Sequence, residues 1–209
     1  MTKRKPTIKQ LYKSRYEANL VDIANKLEAD LWQNIGSYPR IDTIKCRAKS
    51  IERFCVKARK ENNGIKKYSD PINQIQDQIG ARIVTFYLDD VDKIARKIEK
   101  YYRPVEKQKI IPDSDNKFGY EERHYVLFLP VATLPNLNGG DFPVFFELQI
   151  TTLFQHAWSE AEHDLNYKPN IPIDRENKRK IAFTAAQAWG ADNIFNELFS
   201  STKPKKKNK

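Results

Sequence analysis

Residues 144–167 read VFFELQITTLFQHAWSEAEHDLNY. The opening residues alternate: Phe146, Leu148 and Ile150 fall on one side of an extended chain, and Glu147 and Gln149 fall on the other. Such a run is a strand with one apolar face for a core and one polar face for a cleft. Thr151 or Thr152 is placed to cap a following helix that carries two of the three histidines, His156 and His163. Phe154, Ala157, Trp158, Ala161 and Leu165 make the expected core stripe of that helix. Burying an ionised carboxylate without a partner costs roughly several kcal/mol. Glu147 therefore needs a reason to be there.

Working outward, the same mixture of elements recurs. From Thr7, a plausible cap, apolar residues Ile8, Leu11, Tyr12, Tyr16, Leu20, Ile23, Leu27 and Leu31 recur at helical spacing, and the GSYP turn at 36–39 ends that helix. A short strand is expected over 41–46. Ser50 opens a basic helix to about Glu61, closed by NNG at 62–64. Residues 79–88, IGARIVTFYL, read as a central strand, and Asp89 and Asp90 cap a helix to about Tyr101. Further strands are expected over 105–111, 123–129 and 144–150, and a last helix over 174–199 with Gly190 as a soft spot. The reading is one mixed α/β domain over 1–200, with about five strands flanked by helices. Tyr12, Tyr16, Trp32 and Trp189 are large enough that packing onto the sheet is expected for the terminal helices.

With 209 residues, 40% hydrophobic, the chain suffices for one sizeable core. No apolar run approaches the roughly 20 residues that span a bilayer, and the basic start has no apolar segment behind it, so a cytoplasmic protein is expected, with no membrane partner. Cys46 and Cys55 are too few for a disulfide framework and lack metal-binding spacing. Lys and Arg number 37 against 27 Asp and Glu, a formal charge of +10, which favours polyanionic partners. Part of that excess lies in the tail at 201–209, which reads as a solvated, disordered end.

Four groups of residues carry chemistry. In RAKSIERFCVKARK at 47–60, Lys49, Arg53, Lys57 and Lys60 would share a helix face, where like charges repel until a polyphosphate relieves them; an ordinary solvated face is the plainer reading. In DQIGARIV at 77–84, Asp77 precedes a buried strand containing Arg82, and either a turn cap or a metal ligand fits it. In NKFGYEERHY at 116–125, Tyr120 either stacks on a base or packs in the core. In the opening stretch, His156, Glu160 and His163 share a second helix face; a zinc site is one use, and hydrogen bonding near phosphate is the commoner one.

In order, RAKS, DQIGAR, GYEERH, ELQI, HAW and EHDLNYK, spanning 47–168, resemble the synthetase domain of the RelA/SpoT family. The resemblance implies a nucleotidyltransferase-like synthetase fold. It also implies a pyrophosphokinase that moves the β,γ-diphosphate of ATP to the 3′-hydroxyl of GDP or GTP, giving ppGpp or pppGpp. On that resemblance, Arg47 and Arg82 sandwich the adenine, while Lys49, Arg53, Lys57 and Lys60 hold the ATP phosphates. Asp77 and Glu147 are the catalytic carboxylates and hold Mg²⁺, with Glu147 also activating the attacking hydroxyl. Tyr120 stacks on the acceptor's base, and His124, Lys117, Gln149 and His156 complete the acceptor side.

Three departures bear on the acceptor. Thr151 stands where many members have a basic residue, Phe118 replaces an Asn with Lys117 shifted by one, and Glu121 replaces a Lys or Arg. These weaken the expected clamp on a guanine nucleotide's 5′-phosphates. The alternative is a small toxin synthetase of the same superfamily that modifies the 3′ CCA end of tRNA, with an antitoxin partner expected; the basic ends, including TKRK at 2–5, suit tRNA. A hydrolase reading of His163 and Asp164 fails, because the family's hydrolase domain is all-helical. A non-catalytic nucleic-acid module leaves Glu147 beside Asp77 without a use. No regulatory segment follows the domain, so a small single-domain synthetase is expected, with homo-oligomerisation open.

Overall fold

The computed structural model describes residues 6–111, 118, 122–135, 141–166 and 174–202. Lys117, Tyr120, Glu121, Lys168 and the basic ends at 2–5 and 203–209 lie outside the described residues.

Thr7 caps α1 (Ile8–Arg15) through a reciprocal box with Gln10, satisfying backbone donors that the first turn leaves free. A π-helical turn, Tyr16–Leu20, joins α1 to α2 (Val21–Ile35). The expected single helix is thus one rod with a wide turn inserted. The steps Tyr12 to Tyr16 to Leu20 overshoot 3.6 residues per turn, and the π turn absorbs the excess so that the apolar stripe stays inward. Tyr12, Leu20, Ile23, Leu27 and Leu31 are fully buried, each contributing about 1.5–3 kcal/mol of transfer free energy. At the far end Gly36 caps α2, and a Cβ there would collide with the ring of Trp32.

The chain continues through β1 (Ile41–Ala48) and α3 (Ile51–Ala58), the latter capped by the Ser50 hydroxyl. Beyond it β2 (Glu61–Asn62) and β3 (Ile65–Lys66) form a small hairpin, which the spacing did not suggest. Asn63 and Gly64 both have positive φ, as a tight two-residue hairpin turn requires. Then come α4 (Pro71–Gln74), β4 (Ile79–Thr85), α5 (Leu88–Tyr101), β5 (Pro104–Ile110), β6 (Glu122–Phe128), β7 (Phe145–Thr152), α6 (Leu153–Asn166) and α7 (Arg175–Ser201).

Five strands form one sheet in the order β1-β4-β7-β6-β5. β4 and β7 are parallel and the other pairs antiparallel. β4 lies inside the sheet between β1 and β7, as expected of a central strand, and β7 is the middle one. Its alternation is as expected, with Phe146, Leu148 and Ile150 fully buried. These residues and β4's Ile79, Ile83 and Ala81 pack under α2 and α5 in one core.

Asp89 and Asp90 do not cap α5; Tyr87 is its first flanking residue and both acids lie in the first turn. Asp90 is fully buried and accepts from Arg40 and Tyr38, so its position is set by tertiary partners rather than by capping. The expected core stripe of α6 is also corrected. Phe154, Ala157, Ala161 and Leu165 are exposed, because α6 packs mainly on α7, with no further layer over the pair among the described residues. Phe154 instead stacks on Phe195 of α7. Trp32 and Trp189, expected to be packed away, are 40% and 46% exposed. A buried bond from the Thr152 hydroxyl to Asp192 ties the end of β7 to α7.

Candidate active site

Two rows of side chains cross the sheet on the face opposite the core. One row runs Arg47, Gly80, Glu147, Val126, Glu106 through the pairings of five strands. The neighbouring row runs Lys45, Arg82, Gln149, His124, Gln108. Cross-strand neighbours lie about 5 Å apart, so residues remote in sequence become adjacent by register alone. Gly80 leaves open floor between Arg47 and Glu147: a Cβ there would meet nothing within 4 Å.

Above these rows are two joined cavities. The larger, about 880 Å³, is walled by Arg47, Lys49, Arg53, Lys57 and Lys60 on one side and by His156, Trp158 and Glu160 of α6 on the other. The smaller, about 440 Å³, is lined by Lys67, Tyr68, Gln76, Glu106, Gln108 and His124. Lys57, Asp77 and Glu147 line both.

The basic wall is built differently from the expected single helix face. Only Arg53 and Lys57 lie on α3; Lys49 precedes its cap and Lys60 follows its end. The loops at either end turn these two lysines into the same cavity, so the expected cluster forms by a different route. Lys49 is pinned twice through its backbone, its N–H donating to the Gln78 carbonyl and its carbonyl accepting from the Tyr12 hydroxyl at 2.7 Å. Tyr12 itself stacks on Phe54 of α3, with ring centroids 3.6 Å apart.

Asp77 accepts both Lys49 and Lys57 on one oxygen, Oδ2, at 2.9 and 2.7 Å. Burial pushes its carboxyl up, yet the two ammonium groups outweigh that and hold it below the usual carboxylate value. The other oxygen, Oδ1, is buried and has no hydrogen-bond partner among the described residues. Such an oxygen, in cavities that a second carboxylate, Glu147, also lines, is suited to a divalent cation. Mg²⁺ commonly takes one or two carboxylates and completes its shell with water and substrate phosphates, so the donor set fits. Among the described residues no group of three or more His, Cys, Asp or Glu gathers as a metal cluster.

Arg82 is held on three sides. Its Nε and Nη2 donate to the Gln149 carbonyl oxygen at 3.0 and 2.7 Å, and its Nη1 meets His156 Nδ1 at 3.0 Å and the Glu160 carboxylate. Gln149 in turn donates its amide N–H to Glu147 Oε1 at 3.0 Å. Gln149 and His156, expected on the acceptor side, therefore line the larger cavity and orient Arg82. Burial lowers the pKa of His156, and Arg82 lowers it further. Arg47 is also lowered, by burial first and then by Arg53 and Arg82. His124 sits in the smaller cavity, its Nδ1 3.8 Å from Glu147.

Sequence reasoning missed Lys67, Tyr68, Gln76, Gln108 and Glu160 as lining or bracing residues. Glu160 was visible at helical spacing from His156, but its partner Arg82 lies 78 positions away and only folding joins them.

The fold and the motif-bearing region have counterparts among known proteins. A family model described as a region found in RelA / SpoT proteins matches residues 46–171, enclosing the motif span. The GTP pyrophosphokinase YwaC of Bacillus subtilis (strain 168) is 22% identical over 163 residues, covering 78% of this chain and 75% of that protein. Among solved structures, small alarmone synthetase 1 from Bacillus subtilis superposes with a TM-score of 0.73 at 23% identity, covering 91% of this chain and 95% of the other. A GTP pyrophosphokinase family protein from Streptococcus pneumoniae gives 0.71 at 23% identity, over 91% and 95%. A fold shared over nearly the full length and a matching family region that contains Arg47, Asp77, Arg82, Glu147 and His156 lead to one conclusion: the chain belongs to the RelA/SpoT family.

Proposed function

We propose that this chain is an ATP-dependent pyrophosphokinase that moves the β,γ-diphosphate of ATP to the 3′-hydroxyl of GDP or GTP, making ppGpp or pppGpp. The observation that carries the reading is the meeting of two cavities at Lys57, Asp77 and Glu147, one basic and nucleotide-sized, the other beside His124. Family membership supports it, as does the curated relative named for this activity. Small alarmone synthetase 1 from Bacillus subtilis has been captured with its product pppGpp and with AMPCPP, which supports nucleotide substrates for this cleft. The alternative, a tRNA 3′ end as acceptor, gains no comparable support.

In this reading ATP occupies the larger cavity. Arg47 and Arg82 flank the adenine, and Lys49, Arg53, Lys57 and Lys60 neutralise the phosphates. The acceptor occupies the smaller cavity with its sugar toward Glu147. Glu147 takes the proton from the 3′-hydroxyl, whose oxygen bonds to the β-phosphorus as the α–β bridge breaks and AMP departs. Lys57 lies at the junction, where its ammonium can neutralise charge on the transferred group. Asp77 and Glu147 would hold Mg²⁺, which when bound supplies neutralising charge to the phosphoryl oxygens.

The test is transfer of label from ATP labelled in its β and γ phosphates to GDP, GTP or deacylated tRNA, with Glu147→Gln as control. Label on the guanine nucleotides and none with Glu147→Gln is the expected result. Label on tRNA alone would move the protein to the alternative, and no transfer to any acceptor would refute pyrophosphokinase activity.

A further inference from the structure

Glu122 lines neither cavity, yet it is a carboxylate only 3% exposed, two residues before His124 on β6. Residues two apart on a strand share a side, so Glu122 and His124 face the same way, and His124 is paired in register with Gln149 beside Glu147. Oε2 of Glu122 contacts Nε2 of His124, while Oε1 is buried and without a hydrogen-bond partner among the described residues. Burial pushes the Glu122 carboxyl up, and Glu147 adds to this, against His124 and Arg82. An apolar side chain of the same length would fit this site at less cost, so stability alone does not account for a half-satisfied buried carboxylate.

Its effect on His124 does. The two nitrogens of an imidazole are distinct, and the partner of one sets what the other presents. With Nε2 engaged by Glu122, the ring turns Nδ1 toward Glu147, 3.8 Å away. With Nε2–H donating to Glu122, a neutral ring presents the lone pair of Nδ1, which can accept from a sugar hydroxyl of the incoming nucleotide but not from the acceptor-only Glu147 carboxylate. We propose that Glu122 is a positioning residue of the acceptor cavity, holding Nε2 of His124 so that Nδ1 faces Glu147 and the sugar of the incoming nucleotide. The inference rests on the pyrophosphokinase reading and adds to it a residue that touches neither substrate.

The experiment is a double-mutant cycle in the labelled transfer assay with GDP. Glu122→Met removes the acceptor of the Nε2 bond, and Glu122→Gln keeps an oxygen there as a milder second variant. Glu122→Met is expected to lower kcat/KM for GDP on the order of tenfold, as for loss of one charge-assisted hydrogen bond, with KM for ATP unchanged and Tm equal or higher. Glu122→Gln should fall between it and wild type. In a His124→Ala background, Glu122→Met should have no further effect, because a residue acting through His124 has nothing left to orient. A full additional loss in that background would overturn the inference. So would a lowered Tm with both KM values raised together, which would make Glu122 a packing residue. If wild type transfers normally and both Glu122 variants match it, the inference alone fails; if wild type transfers to no acceptor, the pyrophosphokinase reading fails and this goes with it.

Discussion

Lys57 and Lys49 converge on the same oxygen of Asp77, at 2.7 and 2.9 Å, and its second oxygen has no hydrogen-bond partner among the described residues. The cleft thus holds its own substitute for substrate: a carboxylate where phosphates would go, and lysines where a cation would neutralise them. Because the Asp77 carboxyl is held below its ordinary value of 3.8, its ionised form stabilises the fold fully above that value, and the contribution is lost as pH falls through the lowered one. The Tm gap between wild type and Asp77→Asn should therefore be present at neutral pH and close as the solution is acidified below about pH 4. A gap that widens on acidification would contradict this ion pairing.

Removal of divalent cations should abolish transfer while leaving the fold unchanged. With excess chelator, label transfer to GDP should fall by at least 10²-fold and recover on adding Mg²⁺, whereas far-ultraviolet circular dichroism should not move. Retained transfer under chelation would remove Asp77 and Glu147 from metal binding.

Gln149→Leu should uncouple Arg82 from Glu147. The amide accepts two Arg82 bonds and donates one to Glu147, so its loss frees the guanidinium and leaves Glu147 without that donor. A fall in kcat of about 10- to 100-fold is expected, with KM for ATP also raised, read from initial rates at varied ATP.

Tyr12→Phe keeps the stack on Phe54 and deletes only the bond to the Lys49 carbonyl. The expected loss is about 1 kcal/mol of stability by denaturant melting, with KM for ATP raised a few-fold through slackening of Lys49. An unaltered KM would show that the N-terminal helix braces the fold and not the cleft.

The parts of this molecule that were legible beforehand are those with local causes. Alternation in β7, the caps at Thr7 and Ser50, and the turn at Gly36 follow from a few neighbouring residues, and each recurs in the structure. The motif order points to Arg47, Asp77, Arg82, Glu147 and His124; sheet register explains why Arg47, Arg82, Glu147 and His124 meet, and Asp77, just before β4, is held there by Lys49 and Lys57. What was not legible depends on distant partners. Lys49 and Lys60 join the basic wall from loops, Gln149 and His156 turn to Arg82, and Asp90 is captured by Arg40. Helical spacing on α6 suggested a buried stripe, but whether a stripe is buried depends on what lies over it, and the local pattern carries no record of that.

The sharing of Lys57, Asp77 and Glu147 by both cavities also bears on how this protein could evolve under attack. An inhibitor anchored on those three side chains would block donor and acceptor at once. Escape by substitution there would require giving up a contact that each half of the reaction uses, so resistance would have to arise at the rim, where Lys60, Lys67 and Trp158 each serve a single cavity.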